Sequence, residues 1–460
     1  MIEFHQLDPV DVQIVGASSD ELKALKKRCS FPAVAYVQKR FGKERKEWDK
    51  TLIWTSKREI YMPAGLLHRA TAYCDSKGIE YRVVRGNGVL PLPAPQPPHL
   101  PGIDLREDQT QMIEAACRLQ RGVLKAPTGT GKTVVMIGLI SCFPTCTSLI
   151  LVHNKTILGQ TIRELNRFGI DARQVGDGET SFDGQMVVAT RQTMVKHLDH
   201  EWLGKVDIVF VDECHLFGGM NGQYAKIMRA LIAPMRIGFT ATMPKDRESA
   251  IGLEAVMGPI VDEVTYDEAQ EKELLATPKV VLEPVPINSR IEQISRQRNA
   301  YNHTYKVAIV ENRQRNVRIM RWVRKLNEEG RTVIVFVKEL PHGEELLTIA
   351  ADMEIDAHFV QGSTETKIRR QLELMLADGS AKCVISSSVW REGLNIPSLG
   401  GVIFAGGGKS ETSLLQAIGR ALRRTDTKSD ALIIDFLDPY RYMAEHAIER
   451  IITLQKLGWL

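Results

Sequence analysis

Ala126-Pro127-Thr128-Gly129-Thr130-Gly131-Lys132-Thr133 decides how this chain is read. Apolar Val123 and Leu124 lead into it, and a helix-capable run follows from Val134 to Ile140. That is the strand, loop, helix context which a phosphate-binding loop requires. The loop works because unpaired backbone N–H groups at a helix start carry partial positive charge and cradle phosphates. In this pattern Pro127, Thr128, Gly129, Thr130 and Gly131 wrap the phosphates, Lys132 reaches the β- and γ-phosphates, and Thr133 ligates Mg²⁺. The cofactors expected are therefore ATP and Mg²⁺. Ala126 stands where the general pattern has glycine.

A second motif follows at a suitable distance. Val206 to Val211 (Val-Asp-Ile-Val-Phe-Val) reads as a buried strand ending in Asp212-Glu213-Cys214-His215. Two carboxylates then sit at the carboxyl edge of a sheet, where α/β ligand sites form. Asp212 is expected to hold Mg²⁺ through water and Glu213 to polarise the attacking water. Helix capping by Asp212 is the plainer alternative, and the phosphate loop upstream outweighs it.

From these residues onward the chain resembles the superfamily 2 helicases and translocases, in family order over residues 103–437. Leu105-Arg106-Glu107-Asp108-Gln109 is similar to the adenine-contacting segment, which implies nucleotide contacts for Arg106 and Gln109. Leu151-Val152-His153-Asn154-Lys155 and Val188-Ala189-Thr190-Arg191-Gln192-Thr193 resemble the strand-end motifs that touch the nucleic-acid backbone, implying His153, Asn154, Thr190 and Arg191 as contacts. Thr240-Ala241-Thr242 resembles the motif coupling hydrolysis to strand movement. In the second half, Ser387 to Pro397 looks like the motif that brings Glu392, Gly393 and Asn395 to the nucleotide, with Asn395 where Asp is common. Gln416-Ala417-Ile418-Gly419-Arg420-Ala421-Leu422-Arg423 looks like the last motif, implying catalytic roles for Gln416, Arg420 and Arg423, with Arg423 ranked first as arginine finger. The same resemblance implies a second set of nucleic-acid grips at Lys338, Gly362, Ser363 and Ser387. Taken alone, arginines three apart on one helix face are usually solvated. Trp390 follows an apolar run and reads as core rather than as a base-stacking residue.

Composition fits a multidomain α/β protein. Hydrophobic residues make up 43% and charged residues 25%, ordinary globular proportions. No apolar run reaches about 18 residues and no basic leader precedes an apolar stretch, so neither a membrane partner nor a secretory signal is expected, and the location expected is the cytoplasm, of the host if the chain is phage-encoded. Seven scattered cysteines argue for reduced thiols. Pro91 to Pro101 cannot form a helix or central strand and reads as a stiff spacer. The expected fold is two tandem RecA-like parallel-sheet lobes behind a small N-terminal α+β domain. The boundaries expected are 1–90, a Pro-rich linker at 91–102, lobe one at 103–277 and lobe two at 278–460, with nucleotide between the lobes. Glu292 to Lys325 reads as a helical, basic lead-in to lobe two.

The first ninety residues carry 16 Lys and Arg against 11 Asp and Glu, a surplus of +5 where the whole chain has +4. Lys39, Arg40, Lys43 and Arg45 interleave with Phe41 and Trp48 and run into Thr51-Leu52-Ile53-Trp54-Thr55, read as a strand. Bases beside aromatics suit a phosphate backbone, and a solvated charged hairpin fits equally well. The layout from Phe31 to Ile60, then Met62 to Leu67 and a helix through Cys74, resembles the small N-terminal domain of UvsW-type DNA helicases of tailed bacteriophages. The resemblance implies a motor that remodels branched DNA, by unwinding or regressing forks and migrating Holliday junctions. An RNA helicase, or the motor subunit of a restriction or repair complex, are the alternatives. Asp212-Glu213-Cys214-His215 and Gln416 differ from the commonest RNA unwinders.

Overall fold

Strands that are apolar at every position need cover on both faces, and such strands dictate the architecture. A computed structural model describes the chain except residues 40–41, 87, 89–90, 273, 275, 388–398, 409–429 and 457, and the side chains of 34–39, 42–46, 366 and 456. It divides into two compact units, Met1–Ala126 with Gly131–Val264, and Pro127–Thr130 with Thr265–Leu460. The fold is α/β, with two tandem RecA-like parallel-sheet lobes preceded by a small N-terminal α+β domain.

The N-terminal domain comprises β1 (Ile2–Gln6), β2 (Asp11–Val15), α1 (Ser19–Arg28), β3 (Ser30–Lys39), β4 (Gly42–Thr51), β5 (Trp54–Ser56), β6 (Glu59–Pro63), α2 (Leu67–Lys77) and β7 (Tyr81–Arg85). Its five-stranded sheet runs β5-β6-β2-β1-β7, and β3 with β4 forms a separate antiparallel hairpin. The expected strand from Thr51 to Thr55 is broken. Leu52 N–H donates to Cys29 O at 2.8 Å and Ile53 turns into the core, so β4 ends and β5 begins in another sheet.

Lobe one contains α3 (Glu107–Leu119), β8 (Arg121–Lys125), α4 (Lys132–Cys142), β9 (Ser148–Val152), α5 (Lys155–Arg167), β10 (Ala172–Gly176), β11 (Glu179–Thr180) and β12 (Met186–Thr190). It continues through α6 (Arg191–Met194), β13 (Ile208–Val211), α7 (Gln223–Ala230), β14 (Met235–Thr240), α8 (Arg247–Met257) and β15 (Ile260–Glu263). The strand order is β11-β10-β12-β9-β13-β14-β8-β15, parallel except for the β10–β11 turn-back. Strands β9, β12, β13 and β14 are buried throughout. The proline-rich segment has no regular structure and lies along the end of α4, where Gln96 N–H donates to Cys142 O and His99 N–H to Ser141 Oγ, both at 2.9 Å.

The N-terminal domain shares its core with lobe one. Ile251 and Ala255 of α8 pack among Phe4, Phe31, Leu66 and Cys74. Gly65 lies so close that a Cβ there would stand 2.2 Å from Glu254 O. Glu254 takes Arg69 Nε at 2.7 Å and His68 Nε2 at 2.6 Å.

Lobe two, whose compact unit takes up Thr265 onward rather than residue 278 onward, contains α9 (Tyr266–Glu271), β16 (Thr277–Pro284), α10 (Ser289–Ser295), α11 (Tyr301–Tyr305), α12 (Arg313–Glu328), β17 (Thr332–Phe336), α13 (Leu340–Asp352) and β18 (Ala357–Val360). It closes with α14 (Thr366–Asp378), β19 (Cys383–Ser386), β20 (Leu399–Phe404), β21 (Asp430–Leu437) and α15 (Met443–Lys456). Its all-parallel sheet runs β16-β21-β20-β17-β19-β18. The basic lead-in is not one helix. It breaks after α10, where Asn299 takes φ +58°, and α11 passes into a π-helical turn at Lys306–Val310 before α12. All seven cysteines are free thiols. Among the described residues, no helix is long and apolar enough to cross a membrane.

Candidate nucleotide site and nucleic-acid contacts

Neighbouring strands of lobe one end together because they run parallel. Thr240 pairs with Lys125, Val211 with Gly238 and Leu151, and Thr190 with Val152. The residues that follow these strands therefore share one carboxyl edge, where α/β sheets hold ligands.

At that edge β8 enters the phosphate loop. Gly129 and Gly131 take φ of +100° and +88°, a region that side chains strongly disfavour. A Cβ on Gly131 would also stand 2.5 Å from Gln109 Nε2, so glycine lets the Gln109 amide lie directly on the loop. Gln109 is held by its own helix start, where its Oε1 accepts the Arg106 N–H at 3.2 Å. Arg106 grips Asp108 through two hydrogen bonds of 3.0 Å. The sequence-expected adenine segment thus meets the loop. Within the loop, Thr130 Oγ1 donates to Pro127 O at 2.8 Å and Lys132 Nζ to Ala126 O at 2.9 Å. Thr128 Oγ1 is buried without a hydrogen-bond partner. Thr133 stands in the first turn of α4, whose N-cap, Gly131, offers no side-chain cap. A helix start without a side-chain cap suits an anion, which its first-turn amides can hold.

Asp212 and Glu213 leave β13 two strands from the loop. Asp212 Oδ1 accepts the Glu213 N–H at 3.0 Å, and Glu213 takes φ +46°, a left-handed conformation costing about 1 kcal/mol. Burial, reinforced by the charge of Glu213, pushes the Asp212 carboxyl up to about 6, with Lys132 and His153 pulling the other way. Burial opposes the charge of Glu213 as well. There the close approach of His215 and the charges of Lys132 and His153 outweigh it and hold the carboxyl below its ordinary value.

His215 joins this pair to the neighbouring strand. Its Nδ1 lies 3.2 Å from Glu213 Oε2 and 2.9 Å from Thr240 Oγ1, while Thr240 Oγ1 donates to Thr242 O at 2.7 Å. His215 and Thr240 lay inside motifs legible in the sequence but carried no site role. The available signal was a histidine three residues past Asp212 and a hydroxyl closing a buried strand.

The expected nucleic-acid contacts of lobe one are less open. His153 and Thr190 are 5% and 4% exposed. Asn154 Oδ1 caps α5 by accepting the Ile157 N–H at 2.9 Å, and Arg191 donates to Leu216 O at 3.2 Å while its guanidinium lies over the Tyr224 ring. In lobe two Lys338, Gly362 and Ser363 are exposed and Ser387 is buried. Lys39, Lys43 and Arg45 lie on the hairpin strands, without described side chains. Arg40, Glu392, Gly393, Asn395, Gln416, Arg420 and Arg423, with Trp390, lie outside the described residues.

The residues present suit ATP and Mg²⁺. A cradle opened by two glycines, an uncapped helix start, a buried hydroxyl awaiting a partner and a carboxylate unfavourably charged by burial all await an anion bearing a cation. Among the described residues, no cluster of three His, Cys, Asp or Glu forms an all-protein metal site.

Two family models match the chain: the type III restriction enzyme res subunit over residues 102–245 and the helicase conserved C-terminal domain over residues 314–425. The ATP-dependent DNA helicase uvsW of Enterobacteria phage T4 is 23% identical over 366 residues, spanning 72% of this chain and 71% of that protein. The DNA 3'-5' translocase XPB2 of Sulfurisphaera tokodaii is 23% identical over 370 residues, spanning 73% and 82%. Among solved structures, an ATP-dependent type ISP restriction-modification enzyme, LlaBIII, bound to DNA shares the fold. Its TM-score is 0.59 at 17% identity, over 85% of this chain and 32% of that one.

Proposed function

We propose that this chain, a superfamily 2 helicase resembling the UvsW type and thus an ATP-driven DNA motor, works on branched DNA, unwinding or regressing forks and migrating Holliday junctions. The observation that carries the finer reading is a hairpin with basic residues, β3–β4, in a domain whose core is shared with α8. That helix follows Thr240-Ala241-Thr242 directly in the chain. A branch-sensing surface built there would move with the strand that ends at the nucleotide.

In this reading Gln109 and Arg106 position the base, and the amides from Thr128 to Thr133 hold the phosphates. Lys132 leaves the Ala126 carbonyl for the β- and γ-phosphates. Thr133 and Asp212 would hold Mg²⁺, which neutralises phosphate charge when bound. Glu213, kept ionised by His215, orients the attacking water and accepts its proton. His215 and Thr240 then pass the change at Glu213 to Thr242. Gln416, Arg420 and Arg423 complete the site by sequence resemblance, the arginines opposing charge that develops on the γ-phosphoryl. Glu392, Gly393 and Asn395 join the nucleotide contacts on the same ground. His153, Asn154, Thr190 and Arg191 in lobe one, and Lys338, Gly362, Ser363 and Ser387 in lobe two, track the strand. Lys39, Arg40, Lys43 and Arg45 engage the branch.

ATP hydrolysis measured with single-stranded DNA, duplex, four-way junction and matched RNA tests the reading. Stimulation is expected to be greatest with the junction, and Lys132→Ala is expected to lose hydrolysis by at least about 10³-fold while keeping DNA binding. Greatest stimulation by RNA, or equal stimulation by every DNA form, would overturn it. Replacing both Lys43 and Arg45 with alanine should lower the slope of log affinity against log salt by up to about 2. A second reading, a motor serving a separate nuclease chain, is favoured by the res-subunit match of lobe one. It predicts weak stimulation by every nucleic acid until the partner is added.

A further inference from the structure

Tyr301, Tyr305 and Lys338 wall a cavity of about 480 Å³ in lobe two. Lys338 follows β17, the strand between β20 and β19. The same carboxyl edge carries Gly406 after β20, Ser387 after β19 and Gly362 with Ser363 after β18.

The tyrosines are fixed, and they fix the lysine. Tyr305 is buried and donates its hydroxyl to Gly406 O at 2.7 Å. Tyr301 is half-buried, lies nearly parallel to Tyr305 at 6.2 Å and 29°, and meets Tyr442 edge-on at 5.7 Å. Lys338 Nζ lies 4.7 Å from the Tyr305 ring centre and 5.7 Å from that of Tyr301. Ring faces attract a cation and order a long side chain without neutralising it. Two of the other charges lie in ion pairs: Glu311 with Lys306 at 3.1 Å and Glu345 with Arg313 at 3.7 Å. Glu339 also lines the cavity, and no carboxylate among the described residues is in ion-pair contact with Lys338.

We propose that this cavity binds one unpaired base of a DNA strand against Tyr301, with Lys338 on the adjoining phosphate. The inference rests on the reading of lobe two as a strand-tracking surface and names the chemistry of one contact. A phosphate needs an unneutralised cation, and Lys338 is one. A base needs a ring to stack on, and half-buried Tyr301 at the cavity wall is the ring on offer at any sequence, because every base has a π-face. Glu339, which has no ion pair among the described residues, repels a continuous run of phosphates. The backbone therefore touches the cavity only at Lys338, and the base enters. Asn302 and Glu339 stand at the wall to accept exocyclic amines.

The full chain should be irradiated on single-stranded DNA carrying one 5-iodouracil, and its affinity measured for Tyr301→Ala, Tyr301→Phe and Lys338→Ala, each checked for native melting. A cross-link mapped to Tyr301 is expected. Tyr301→Ala should weaken single-stranded DNA about tenfold, within the range for loss of one stacked base, and Tyr301→Phe should bind within about twofold of the parent. Scanning an abasic nucleotide through the oligonucleotide should reveal one position that weakens the parent about tenfold and Tyr301→Ala no further. That arm needs no altered fold in the parent. Normal affinity of Tyr301→Ala beside weakened Lys338→Ala would overturn the base site and leave the strand contact standing. Normal affinity of both would overturn the lobe-two contact as well.

Discussion

Lobe one and lobe two both bury charge near the carboxyl ends of parallel strands, and they treat it in opposite ways. In lobe two, Arg315 is fully buried and clamps Asp438 through bonds of 2.8 and 3.1 Å, with its remaining donor on Ala405 O at 2.8 Å. Arg450 likewise holds Asp435 at 2.8 Å. In lobe one, Asp212 and Glu213 are two adjacent half-buried acids; among the described residues no arginine is clamped to them, and the charges that face them are those of Lys132, His153 and, for Glu213, His215. Oppositely charged buried pairs hold a fold together, whereas like charges forced together carry the shifted pKa values that functional sites use.

The contrast can be broken in stability measurements. Arg315→Met strands Asp438 and should cost about 3–5 kcal/mol in urea unfolding, most of it recovered by adding Asp438→Leu. If the single change were nearly neutral, the lobe-two pairs would not be scaffolding. Asp212→Asn should act with the opposite sign. Its carboxyl sits at about 6 instead of the ordinary 3.8, so ionisation costs stability as pH rises between those values, and the cost is complete above pH 6. At neutral pH and without nucleotide, the amide should stabilise by roughly 1–2 kcal/mol, and the gain should vanish near pH 4. A loss of stability at neutral pH would mean that Asp212 is already satisfied. Glu254→Gln, at the half-exposed contact with Arg69 and His68, should cost only about 1 kcal/mol. There burial works against hydrogen bonds from His68 and Arg69 that hold the Glu254 carboxyl low. Its contribution is therefore present above the ordinary carboxylate value and lost as pH falls through the lowered one. A pH-independent effect would assign the contact to packing alone.

What the sequence revealed follows the same divide. The phosphate loop, the acid pair and the strands from Leu149, Met186, Ile208 and Thr332 are local patterns, because a strand buried on both faces is a continuous apolar run. The break at Leu52–Ile53 was not legible, since both residues are apolar and the strand ends through a long-range hydrogen bond to Cys29 and a turn in which Thr51 Oγ1 accepts the Ile53 N–H. Nor was the helix break near Asn299, whose residues give no proline or glycine signal. The fastening of Arg69 to Glu254 joins residues 185 apart, and the tyrosines around Lys338 come from a separate helix. Such contacts are made by the fold and leave no periodicity.

If the acid pair Asp212–Glu213 serves hydrolysis rather than structure, Glu213→Gln separates the two roles. The change preserves shape and the Asp212 contact while removing the base. Binding of a fluorescent ATP analogue with Mg²⁺ should stay within about threefold of the parent, while DNA-stimulated kcat falls by about 10²–10⁴. A variant that turns over ATP at the parental rate would leave Glu213 a structural residue only.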